Sequence, residues 1–109
     1  MDPVMYILVN SDLNMGKGKI AAQVGHVVQA IVEELCTKNN STYREWKNSG
    51  SAKIVLKASR DEIEKHISLP NARHVIDEGR TQIPAGSLTV LGFLPSRDMA
   101  DILAKYKLL

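Results

Sequence analysis

The chain has 109 residues, of which 44% are apolar, 24% charged and 5% aromatic. That length suits one domain, residues 1–109, and the composition excludes a disordered, collagenous or membrane-embedded chain. With 14 Lys and Arg against 12 Asp and Glu the net charge is +2, so any basic face for nucleic acid must come from charge placement, not from bulk charge.

Residues 4–9 form an apolar run that reads as a short buried strand. It ends at Asn10-Ser11-Asp12, three turn-formers in a row. A glycine-bearing loop, Leu13-Asn14-Met15-Gly16-Lys17-Gly18-Lys19, follows. From residue 19 to residue 37 or so the pattern is helical, with Ile20, Val24, Val27, Ile31 and Leu35 in one apolar stripe. Asn39-Asn40-Ser41 stops this helix and caps a short one over residues 42–47, which carries Trp46. Tyr43 and Trp46 suit helix packing better than stacking on a nucleic-acid base.

Residues 52–58 alternate as a strand, with Lys53 and Lys57 near its ends. Ser59 and Glu62 have the spacing of a capping box, predicting a helix to about residue 67. Pro70-Asn71 breaks it, and residues 73–76 form a short strand. Residues 77–82 are a polar loop and residues 83–86 a turn. Residues 88–94 make the most apolar strand, predicted to be central and antiparallel to a neighbour. Pro95-Ser96 opens a last helix over residues 97–105, and Leu108-Leu109 is predicted to pack on the core or on a second subunit. This alternation predicts an α/β fold: a three-layer α/β/α sandwich with a mixed sheet of about four strands and helices on both faces.

The one cysteine, Cys36, excludes a disulfide framework and a cysteine-rich zinc site. It suits a reducing compartment. The first residues lack the pattern of a signal peptide, and no apolar run is long enough to span a bilayer. The expectation is a cytoplasmic protein with no membrane attachment, no bound metal and no cofactor.

Two stretches carry chemistry. In the first, two glycines and two lysines precede a helix, whose unpaired N–H groups and positive dipole suit an anion. The spacing is not that of a P-loop, which leaves a solvated lysine turn equally open. Lys19, Gln23 and His26 then share one helical face, beside Ala22 and Ala30. By spacing alone, a plain exposed face fits that line at least as well as a site. The second stretch, Asp77 to Thr89, is rich in carboxylates, amides and hydroxyls. Asp77 follows Val75-Ile76, so a buried carboxylate there needs a partner such as a lysine. Thr89 lies among Leu88, Val90 and Leu91, where its hydroxyl is either satisfied structurally or lines a pocket. A tight loop held by Asx and Ser/Thr turns remains open too.

Together these stretches resemble the peptidyl-tRNA hydrolase family of archaea and eukaryotes, the type unrelated in fold to the main bacterial enzyme. The first motif reads Asp12-Leu13-Asn14-Met15-Gly16-Lys17-Gly18-Lys19-Ile20-Ala21-Ala22-Gln23, followed by His26. The second reads Asp77-Glu78-Gly79-Arg80-Thr81-Gln82-Ile83, then Gly86-Ser87 and Thr89-Val90-Leu91-Gly92. The similarity runs in order through nearly the whole chain. It departs at Glu78, where the family usually has a small residue, at a shorter stretch between Leu56 and Asp77, and at Leu94-Pro95-Ser96 in place of Gly-Pro.

The resemblance implies hydrolysis of the ester between a peptide, or an N-blocked aminoacyl group, and tRNA, which recycles tRNA from prematurely released peptidyl-tRNA. The implied site has Lys19 on the oxyanion or ribose oxygen, by charge-assisted bonding. Asp77 orients Lys19 or the water and is a candidate general base. Thr81 and Thr89 supply hydroxyls to the ester or the water. Gln23 and His26 line the same cleft, with His26 a candidate proton carrier. Lys17, Lys53, Lys57 and Arg80, with Gly18 and Gln82, are candidates for the tRNA acceptor stem, through phosphate contacts. Strand-edge protection explains Lys53 and Lys57 equally well. The family also implies a homodimer. The competing readings are a catalytically inactive tRNA- or protein-binding adaptor of the same fold, and a nucleotide-binding protein using the Gly16–Lys19 loop.

Overall fold

The computed structural model describes residues 1–78 and 83–109. Among these, five strands form one mixed sheet. They are β1 (Met5–Asn10), β2 (Lys53–Ala58), β3 (Ala72–Ile76), β4 (Leu88–Phe93) and β5 (Lys107–Leu108). Four α-helices accompany them among the described residues: α1 (Lys17–Leu35), α2 (Ser41–Asn48), α3 (Arg60–Glu64) and α4 (Met99–Ile102). The spatial order is β3-β4-β1-β2-β5. β1 and β2 are parallel, while β4 runs antiparallel to both β1 and β3, and β5 antiparallel to β2.

Strand alternation builds a core on each face of the sheet. Met5, Ile7 and Val9 point toward α1 and α2, where they meet Val27, Ile31, Tyr43 and Trp46. Leu8, Leu56, Leu91 and Phe93 point the other way, toward Ile63 of α3 and Met99 of α4. Helices thus cover both faces in three layers. Each fully buried side chain of this kind contributes about 1.5–3 kcal/mol. Trp46 belongs to the core, and its indole N–H donates to the Ala52 carbonyl at 2.8 Å. A base cannot stack on it there.

α1 lies very close to β4 because β4 has a glycine beneath it. A Cβ at Gly92 would stand 2.8 Å from a Val27 methyl and 3.0 Å from Ile31 Cδ1. At the far end of α1, Arg73 of β3 grips Glu34 with two 2.7 Å bonds. The Arg73 bonds hold the Glu34 carboxyl below its usual range. The helix is therefore held against β3 and β4 from its middle to its C-terminal end.

The chain's end corrects the sequence expectation. The sheet has five strands, not four, because the C-terminal segment returns as the two-residue β5. The last helix covers only Met99–Ile102, not residues 97–105. Ser96 exchanges both backbone bonds with Val4, which keeps the chain extended past the proline. The middle strand is β1, with β4 beside it. α3 ends at Glu64, short of residue 67. No helix among the described residues is long and apolar enough to cross a membrane.

Candidate active site

Antiparallel pairing brings the ends of β1 and β3 beside the start of β4. The first turns of α1 lie over that end of the sheet. Lys19 and Gln23, one helical turn apart, face the strand ends there. Asp77 follows directly after β3. Its N–H donates to the Ser87 carbonyl and its carbonyl accepts from Gly86 N–H, both at 2.8 Å. Gly86 takes φ +82° in that turn, a conformation natural to glycine. Both backbone groups of Asp77 are therefore held before its side chain acts.

Lys19 Nζ donates to Asp77 Oδ1 at 2.5 Å, and the two side chains are 9% and 7% exposed. The same oxygen lies 3.4 Å from Gln23 Nε2. The Thr89 hydroxyl donates to Gln23 Oε1 at 2.7 Å. The Asp77 carboxylate fixes the amide's orientation, because a flipped Gln23 would set oxygen against oxygen. The result is one chain of bonds, Lys19 to Asp77 to Gln23 to Thr89, linking α1 to β3 and β4. A buried ion pair holds when such added bonds offset its desolvation, and losing one partner costs about 3–5 kcal/mol.

Thr89 reaches Gln23 because β4 bulges. Val75 pairs with Val90 and Ile76 with Leu88, so Thr89 is passed over. Regular alternation would send Thr89 to the face of Leu91 and Phe93. The extra residue turns its side chain toward α1 instead, as bulges near active sites do. Thr89 is fully buried and Gln23 is 3% exposed. The Thr89 hydroxyl thus lies behind Gln23, bonded to its Oε1 and 3.3 Å from the Val75 carbonyl.

The structure gathers Lys19, Gln23, Asp77 and Thr89. It leaves His26 exposed, one turn further along α1, outside this chain of bonds. Gly18 and Lys17 are exposed in the first turn of α1, and Lys17 lies on the flank facing β2 and β5. Lys57 is exposed on β2, level with Val9. Lys53 pairs with Met5 at the opposite end of the sheet, where its ammonium sits 5.3 Å over the Trp46 ring. It is not brought to the site. Arg80, Thr81 and Gln82 lie outside the described residues. No three His, Cys, Asp or Glu side chains among the described residues gather as a metal-ligand set.

One buried polar residue beside the site escapes sequence reasoning. Asn10, 2% exposed, donates from Nδ2 to the Leu88 carbonyl at 2.8 Å. Its place at the end of an apolar run is the only signal, and the turn-forming Ser11-Asp12 masks it.

Comparisons with known proteins place relatives beside the chain. The family model described as peptidyl-tRNA hydrolase PTH2 matches residues 3–109. The chain is 43% identical to a peptidyl-tRNA hydrolase of Saccharolobus islandicus over 102 residues, covering 84% of this chain and 85% of that one. It is 42% identical to one from Sulfurisphaera tokodaii, covering 84% of each. It is 40% identical to one from Saccharolobus solfataricus, covering 84% and 85%.

Proposed function

The chain belongs to the PTH2 family of peptidyl-tRNA hydrolases, and we propose that it cleaves the peptidyl-tRNA ester with Lys19 held by Asp77, Gln23 and Thr89. Acyl transfer to water builds negative charge on the carbonyl oxygen and then on the leaving ribose oxygen. The Lys19 ammonium is the group that meets that charge. The observation carrying this is the ion pair, closed at 2.5 Å and more than nine-tenths buried. Burial makes the ammonium effective, because little water screens it. Asp77 keeps it aimed. Gln23 and Thr89 hold Asp77 in turn, so the site meets its transition state without reorganising.

The tRNA is held through phosphates. Support comes from the first turn of α1, which has no acidic residue and no capping side chain, and from exposed Lys57. The protein acts as a homodimer, for which an open apolar groove beside α1 gives support. It works in the cytoplasm, and the exposed, unpaired Cys36 suits that reducing compartment.

The test is release of free tRNA from an N-acetylated aminoacyl-tRNA, by wild type, Lys19→Ala and Asp77→Ala. Wild type is expected to turn over, and Lys19→Ala to lose about 10²–10³ in rate. Asp77→Ala is expected to fall comparably, since it strands the ammonium. Tight tRNA binding without turnover by wild type would establish the adaptor instead, and an undiminished rate in Lys19→Ala would remove its role.

A further inference from the structure

The bulge that aims Thr89 has a cost in backbone bonding. The β1–β4 ladder pairs Ile7 with Gly92, Leu8 with Leu91 and Val9 with Val90, and stops there. Beyond it the β3 register skips Thr89. A buried carbonyl at this point needs a donor from outside the ladder. Asn10 supplies one to Leu88 from its side chain at 2.8 Å. The other end of the same amide, Oδ1, accepts the Asp12 N–H at 3.0 Å. The amide therefore has a donor on one side and an acceptor on the other, and its orientation is fixed. Asn10 is itself anchored by β1–β2 pairing with Ala58.

We propose that Asn10 is a positioning residue for hydrolysis: by clamping the Leu88 carbonyl it holds the bulge that keeps Thr89 on Gln23. The proposal rests on the catalytic reading of Lys19 and Asp77 given above. Its line of action runs from Asn10 to Leu88, to Thr89, to Gln23, to Asp77. No atom of Asn10 has to touch substrate. Release of the clamp lets the start of β4 relax toward regular alternation, which turns the Thr89 hydroxyl away from α1. A shift of about 1 Å in such a support costs up to about 100-fold in rate.

The experiment combines kinetics with a measurement that does not depend on activity. Asn10→Asp keeps the size and the acceptor for Asp12 but removes the donor to Leu88. Asn10→Ala removes both bonds and serves where the buried carboxylate prevents folding. In tRNA release, each is expected to lower kcat at least about tenfold with KM little changed. In a Thr89→Val background the same change is expected to add little, because the bond it protects is already gone. The Gln23 side-chain amide resonances are expected to move in Asn10→Ala as they do in Thr89→Val. Multiplying kcat losses in the double variant, or unmoved Gln23 resonances, would overturn the proposal. Should wild type prove inactive, the functional reading fails alone and the resonances still decide the role of Asn10.

Discussion

At the scale of single residues, the site turns on which atoms of Gln23 face which neighbour. Its amide N–H group lies 3.4 Å from Asp77 and its oxygen takes the Thr89 proton. Gln23→Glu replaces that N–H donor with an oxygen beside an existing carboxylate. Two carboxyls this close do not both ionise easily, so the pair holds a proton to higher pH. When protonated, the introduced carboxyl reproduces the glutamine pattern, with O–H to Asp77 and C=O to Thr89. When ionised, it repels Asp77 and competes for Lys19. The rate of Gln23→Glu relative to wild type is therefore expected to rise as pH falls from about 8 to 5. A ratio that stays flat would mean that Gln23 does not act through Asp77. Much of this site is legible in sequence, but unevenly. A carboxylate placed after an apolar strand implies a buried acid that needs a cation. That the cation is Lys19, 58 residues away, comes from the resemblance and not from spacing. The Thr89 bulge has no sequence signature, since one inserted residue leaves an apolar strand looking regular.

Elements show the same division between local and distant causes. The Ser59–Glu62 capping box forms as its spacing predicts, with both reciprocal bonds made. The last helix starts late, at Met99, because Ser96 is bound to Val4, more than ninety residues earlier, and such pairing overrides local propensity. Gly92 reads as an ordinary strand glycine until α1 is seen against it. His66, just beyond α3, gives an element-scale prediction. Its Nε2 lies 2.9 Å from the Tyr106 hydroxyl, and its ring meets Phe93 and Tyr106 edge-on. Burial, then the charges of Lys105 and Lys65, lower its pKa against a smaller opposing effect of Glu62. The unfolded chain therefore takes up the proton first, at about pH 6.5. The contribution of His66 to stability is complete above that pH and is lost as pH falls below it, through the folded-state value. Melting temperatures of wild type are expected to drop faster between about pH 7 and 5 than those of His66→Gln. Parallel curves would exclude His66 as the cause.

For the whole molecule, the surface suited to assembly lies on the flank of α1 away from Lys19 and Asp77. An open groove of about 710 Å³ runs between α1 and the β2–β5 edge, lined by Ile20, Ala21, Val24, Val55 and Leu108. Leu108, on the outermost strand, is 71% exposed, and Leu109, just past it, 53%. Edge strands are usually guarded by charge or covered, and β5 offers Lys107 beside Leu108. A two-fold interface joins the same patch on each copy, so the projecting leucines of one chain suit the groove of the other. A stable dimer needs about 800 Å² from each partner, which requires the α1 flank as well as β5. Lys19 and Asp77 lie outside this groove, whereas Lys17 lines it and belongs to the interface in such a dimer. Light scattering is expected to give twice the 12.0 kDa chain mass for wild type and the single mass for Leu108→Glu. Because Leu108 is mostly exposed, the substitution leaves each fold intact, and circular dichroism of the variant checks this. A wild type of single-chain mass, or a variant that stays dimeric, would show that this groove does not join the two copies.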